Sequence, residues 1–219
     1  ARKDLLNQID HPDHQHASAK RLSTFADEAL HMLVSDQVRS AFDLSTESKS
    51  LRERYGAHEW GQGALLSRRL IESGVTFVML QCGLRQDWDT HSKNFPRLKD
   101  TLLPAMDRAV ASLLEDLSEK GLLDDTLVLV MGEFGRTPVV NKSAGRDHWA
   151  KAFSVLLAGG GVKRGFTFGR TDPTAAEPVD GAVSVQDLLA TIYHLIGIDS
   201  DQELMAPGDR PIDIVHRGR

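Results

Sequence analysis

The chain holds a single cysteine, Cys82, among its 219 residues. That excludes an intrachain disulfide framework and any cysteine-rich zinc or iron-sulfur site. No apolar run approaches the ~18 residues that a membrane helix needs, and no secretory signal opens the sequence. A basic excess is lacking too. The formal net charge is -5 and the pI is near 6.0, so nucleic acid, which demands positive charge, is not an expected partner. The short basic tail His216-Arg217-Gly218-Arg219 changes little. Internal repeats and low-complexity segments are also missing. What is present, 41% hydrophobic and 26% charged residues, is ordinary for a globular protein with room for one large domain or two small ones.

The densest chemistry lies between Thr126 and Trp149, TLVLVMGEFGRTPVVNKSAGRDHW. Leu127 to Met131 carry no polar alternation, which predicts a strand buried on both faces. Gly132 ends the run, and Glu133, Arg136, Thr137, Asp147 and His148 crowd the residues that follow. Open α/β sheets bind ligands beyond the carboxyl ends of their strands, so a site is expected here.

Residues 1–60 read as a polar helical lead-in, with Leu22, Phe25, Leu30, Leu33 and Val38 spaced as a one-sided stripe. His11, His14, His16, His31 and His58 lie in it; the first three read as a solvated loop rather than a metal site, because nothing nearby would order them as ligands. Residues 61–219 make up the main domain. Gly61 to Ser73 reads as an amphipathic helix stopped by Gly74, and Val75 to Gln81 as a strand. A polar loop then carries Trp88-Asp89-Thr90-His91 and Asn94.

Apolar residues at Leu98, Leu102, Met106, Val110, Leu113 and Leu117 predict a long helix from Leu98 to Lys120, ended by Gly121. Pro104 fits its first turn if Thr101 is the N-cap, and kinks the helix otherwise. Phe153 to Ala158 reads as a third strand, followed by a turn at Gly159-Gly160-Gly161 that lacks the Lys-Ser/Thr of a phosphate loop. Ser184 and Asp187 form a capping box for a helix that buries Leu188, Leu189, Ile192, Leu195 and Ile196, with His194 as a satisfied core or surface residue. Helix, strand, helix, strand in that order implies an α/β protein with a mainly parallel sheet.

Three polar clusters fall beyond strands or between them: Asp89 with His91, Glu133 with Arg136 and Thr137, and Arg146 with Asp147 and His148. Carboxylates and imidazoles converging from separate loops suit a divalent metal such as zinc, and Arg136 or Arg146 could hold the oxygens of an anionic substrate. The plainer alternative makes Asp147 a turn cap, Glu133 an ion-pair partner of an arginine and His91 a surface residue.

The segments WDTHSKNF, LLPAMDRAVASLLEDL, GEFGRTP, GRDHW, FSVLLAGGGVKRG and QDLLATIYHLIGID, in this order, resemble a bacterial family catalogued as domain of unknown function 1501, placed in the alkaline phosphatase and sulfatase superfamily. The resemblance covers the chain from about Gly61 onward and, more weakly, the lead-in. It implies a three-layer α/β/α fold with a mainly parallel sheet, alkaline-phosphatase-like and incomplete in this chain. It also implies a metal-dependent, hydrolase-like site for phosphate or sulfate esters. The metal would be zinc first, with calcium or manganese as alternatives.

Onto the superfamily's set of one Asp and two His ligands, the resemblance carries Asp89, His91 and His148. Glu133 and Asp147 are further ligand candidates, and Arg136, Thr137 and Arg146 are candidates for contact with the substrate. Where the superfamily has Asp-His-Gly this chain has Glu133-Phe134-Gly135, and phenylalanine binds no metal, so a mononuclear or altered site is implied. The superfamily's early strand, with its nucleophile, has no counterpart before Gly61. The chain thus resembles the C-terminal half of a longer protein, with an N-terminal segment of that protein as partner and a periplasmic or secreted location. Cys82 lacks the Cys-x-Pro-x-Arg context of sulfatases. The other function class is a non-catalytic module of this family that binds an anion, a glycan or a protein.

Overall fold

The computed structural model describes residues 24–25, 35–83 and 87–216. The expectations for His11, His14, His16, Leu22, Leu30, His31 and Leu33 fall outside those residues. Within them, short helices α1 (Asp36–Ala41) and α2 (Lys49–Tyr55) precede α3 (Glu59–Glu72). Each starts on a side chain that accepts a backbone N–H at the helix start: Ser35, Ser48 and His58. α3 stops where the sequence predicts. Gly74, at φ +91°, donates to Ile71 while Val75 donates to Leu70, the paired bonds of a left-handed C-terminal stop.

The long helix begins earlier than its apolar pattern suggests. α4 (Asn94–Arg97) runs through a wide π turn at Leu98–Leu102 into α5 (Leu103–Glu119). Thr101 therefore lies inside the helical path and is not its N-cap. Pro104 has no N–H to give back to the preceding turn and its ring crowds that turn's carbonyl. The widened turn, closed by Leu103 N–H on Leu98 O, absorbs both problems.

α3 and α5 pack together over Tyr55, Ala64, Leu65 and Ala109, with Leu44, Leu51, Trp60 and Leu113 around them. The seam also buries charge. Arg68, 1% exposed, sits 2.9 Å from Asp116, 2.7 Å from Glu47 and 2.5 Å from Glu72. The Tyr55 hydroxyl donates to Asp116 at 2.9 Å. Ser112 and Asp116 share the buried stripe with Ala109 and Leu117, which apolar periodicity alone could not show.

The expected mainly parallel, three-layer α/β/α sheet is not what forms. The described strands make four separate two-stranded antiparallel pairs. β1 (Val128–Val130) pairs with β4 (Leu156–Ala158), β2 (Gly135–Arg136) with β3 (His148–Trp149), β5 (Arg170–Thr171) with β6 (Pro178–Asp180), and β7 (Glu203–Ala206) with β8 (Arg210–Asp213). The physical reason lies in the connections. A parallel neighbour needs a crossover, normally a helix, to bring the chain back to the same edge. Between β1 and β4 there is only the β2–β3 hairpin, so the chain returns in the opposite direction.

Val75 to Gln81, expected as a strand, joins no sheet among the described residues, and Phe77 and Met79 are 80% and 82% exposed. β1 is half-buried rather than buried on both faces, and Met131 is 50% exposed. At the far end, α6 (Val185–Leu195) carries the predicted capping box, in which Ser184 and Asp187 satisfy each other's backbone N–H.

Candidate metal centre

The loop 87–91 is fastened from both sides. The Trp88 indole stacks on Trp60 of α3 at 5.4 Å and donates to the Cys82 carbonyl at 2.7 Å. Thr90 is buried and its hydroxyl bonds Asn94 at the start of α4. Arg97 of α4 donates to the Asp87 carbonyl at 2.8 Å. Pinned between these anchors, Asp89 and His91 face the β2–β3 hairpin.

That hairpin brings the opposite wall. Its register sets Arg136 across from His148 and Gly135 across from Trp149. Asp89 Oδ1 then lies 2.9 Å from His91 Nε2, 2.8 Å from His148 Nε2 and 2.7 Å from Arg136 Nη2. The two imidazole Nε2 atoms are 3.2 Å apart. A hydrogen bond from His148 and a second from Arg136 hold the Asp89 carboxyl down at about 2, so it is ionised throughout the physiological range.

The remaining sequence-predicted residues surround this trio in different ways. Asp147 accepts from His91 Nδ1 at 2.6 Å, and that bond, followed by one from Asn141, keeps its carboxyl below the ordinary range. With Nδ1–H given to Asp147, Nε2 is the ring atom that faces Asp89 and His148. The Phe134 ring lies 4.3 Å from the His148 ring and backs it. Glu133 is exposed and outside the converging group.

Arg136 gives Nη2 to the Trp88 carbonyl at 2.9 Å as well as to Asp89, and Nη1 to the Arg146 carbonyl at 3.1 Å. Arg146 donates Nε to the Thr137 carbonyl at 2.5 Å and Nη2 to the Arg136 carbonyl at 3.1 Å. Thr137 donates its hydroxyl to Val139 O at 2.8 Å and accepts the Asp147 N–H at 3.0 Å. These three side chains brace the hairpin. Cys82 is half-buried, and burial pushes its thiol up, away from nucleophilic use.

Asn141 is the participant that composition and spacing did not single out. Its amide reaches both His91 and Asp147, and it closes the loop that carries Gly145. A readable signal existed: asparagine two and four residues before Ser143 and Gly145 is turn-forming chemistry. The loop also presses on the ligand segment. Lys93 and Asn94 donate to the Ser143 and Ala144 carbonyls, and a Cβ on residue 145 would sit 1.9 Å from His91 O.

The trio has the donor set and spacing that suit a cation. Asp89, His91 and His148 each offer one donor atom, and these atoms lie within 4.8 Å of one another. Two ligands about 2.0–2.1 Å from a tetrahedral zinc are about 3.3 Å apart. The observed separations of 2.8, 2.9 and 3.2 Å fall just inside that spacing, a mismatch that small side-chain rotations remove. His91 and His148 are about half exposed, so the position opens to solvent.

The family described as "Protein of unknown function (DUF1501)" matches residues 1–219. No curated protein and no solved structure matches the chain.

Proposed function

Starting from a chain that belongs to the DUF1501 family of proteins of unknown function, we propose a metal-dependent, hydrolase-like domain acting on phosphate or sulfate esters, with the chemistry of the alkaline phosphatase and sulfatase superfamily. The observation that carries this reading is the convergence of Asp89, His91 and His148 donor atoms from two separate segments. Two imidazole nitrogens and one carboxylate oxygen favour zinc over calcium or manganese, which prefer all-oxygen surroundings. A divalent ion held there would supply Lewis acidity toward the ester oxygens.

The chain's own residues prepare the position. Arg136 fixes Asp89 as a charged ligand, Asp147 holds Nδ1 of His91, and Phe134 walls in His148. Arg146 Nη1, which has no partner among the described residues, is the group that would meet an anionic ester. The reading also includes an extracytoplasmic location and a partner in an N-terminal segment of the same protein; the exposed run Val75–Gln81 supports the latter.

Elemental analysis of protein purified without a tag, then turnover of aryl phosphates and aryl sulfates, tests it. About one zinc per chain and a hydrolysis rate that falls at least tenfold in His148→Ala are expected. Zinc-free protein that takes up no zinc on titration would sink the proposal.

A second reading has its own support. Most of the donors of Arg136 and Arg146, and the Thr137 hydroxyl, are committed to protein carbonyls or to Asp89, and among the described residues no nucleophile touches the trio. That favours a binding module for an anion, a glycan or a protein. Zinc binding without turnover of either ester class would select it.

A further inference from the structure

Asn141 sits where the loop before β3 meets the segment that carries His91. All four of its hydrogen-bonding sites are used. Oδ1 accepts from Ser143 N–H and Gly145 N–H, each at 2.9 Å. Nδ2 donates to His91 O at 3.0 Å and to Asp147 Oδ1 at 3.1 Å. The amide can face only one way. Flipped, its NH2 would meet two N–H groups and its oxygen would meet a carbonyl and a carboxylate.

This wiring joins two segments far apart in sequence. His91 and Asp147 are 56 residues apart, and Asn141 holds the backbone of one and the side chain of the other. Asp147 Oδ1 receives both Asn141 Nδ2–H and the ring N–H of His91. With its rotamer locked this way, the carboxylate can serve His91 Nδ1 only as an acceptor, so that nitrogen must carry the proton. Nε2 is then the ring atom left for a cation, facing Asp89 and His148.

We propose that Asn141 is a positioning residue for His91: by holding the Asp147 carboxylate and the His91 main chain together, it selects the Nδ1–H form of the ring and presents Nε2 as a cation ligand. The proposal rests on the reading of the trio as a cation site. It assigns the two halves of one amide to separate tasks. Oδ1 shapes the turn and Nδ2 orients the ligand.

Asn141→Asp separates those tasks, because it keeps the acceptor for Ser143 and Gly145 and removes both donors. The experiment is histidine ring ¹⁵N NMR on the zinc-free full chain at pH 8.5, followed by zinc titration calorimetry, on wild type and on Asn141→Asp. In wild type, His91 shows a protonated Nδ1. In Asn141→Asp that signature gives way to a mixture, and zinc affinity falls ~10–100-fold, the range for losing an outer partner of a metal-bound histidine. The fall is expected even though the added negative charge would by itself strengthen cation binding.

A wild-type His91 protonated on Nε2 overturns the proposal without any variant. So does an Asn141→Asp protein with an unchanged His91 signature and zinc affinity within about threefold of wild type, the result for a residue that only shapes its turn. Wild-type protein that binds no zinc but loses the Nδ1–H signature on substitution would refute the cation site and leave the positioning role standing.

Discussion

Replacing Asp89 by asparagine probes the trio at its centre, because one oxygen, Oδ1, meets His91, His148 and Arg136 within 2.9 Å. The amide keeps the volume but loses the charge and one of three protein ligands. Losing an outer partner of a metal ligand costs ~10–100-fold in affinity, so losing an inner ligand should cost at least ~100-fold, or about 2.8 kcal/mol at 1.4 kcal/mol per tenfold. In a melting assay, zinc at 100 times its wild-type Kd stabilises the native state by about 2.7 kcal/mol. For a chain of this size that is a rise in Tm of roughly 5–10 °C. In Asp89→Asn the same zinc concentration should raise Tm by about 1 °C or less. Because the carboxyl titrates at about 2, any loss of zinc affinity between pH 7 and pH 4 does not come from Asp89. Equal zinc-induced shifts in the two proteins, with both folded by circular dichroism, would refute the argument.

Three further outcomes follow from other parts of the molecule. Gly145→Ala forces the loop off the His91 carbonyl, since its Cβ would lie 1.9 Å from that oxygen, and calorimetry should show zinc affinity down at least tenfold. Arg68→Ala leaves Glu47, Glu72 and Asp116 around an empty charge position, and urea unfolding should give a loss of about 3–5 kcal/mol, the cost of breaking a buried ion pair. Burial alone would raise the Glu47 carboxyl, but hydrogen bonds from Arg68 and Arg69 outweigh it and lower its pKa below the ordinary 4.5. A carboxyl lowered in the native state adds stability above the unfolded-state pKa and loses it as pH falls through the native one. Urea midpoints between pH 7 and pH 3 should therefore fall less steeply below about pH 4.5 in Glu47→Gln than in wild type.

The helices were legible because their signals are local. Apolar spacing, the Ser184–Asp187 box and the glycine after α3 each act within a turn or two of chain. Sheet partners were not, because an apolar run such as Leu127 to Met131 announces a strand without naming what lies beside it, and Val75 to Gln81 has the composition of a strand but no strand partner among the described residues. Arg68 was equally hidden: nothing local in α3 marks an arginine for burial, and the Asp116 and Glu47 it meets in the folded chain explain it. At the candidate centre, residue chemistry nominated acids, imidazoles and arginines alike. The folded chain gathers Asp89, His91 and His148, leaves Glu133 outside, and turns Arg136, Arg146 and Thr137 inward as braces.

The separation of the two walls of the centre along the chain bears on the order of folding. Asp89 and His148 are 59 residues apart, and Tyr55 and Asp116, in the helical seam, are 61 apart, so the two closures cost nearly the same chain entropy. Only the seam repays that cost with apolar burial; the bonds at the centre are half exposed and return little. On refolding, the helical signal should recover before zinc-binding capacity does. The cation position thus forms once the chain has already collapsed and does not nucleate that collapse.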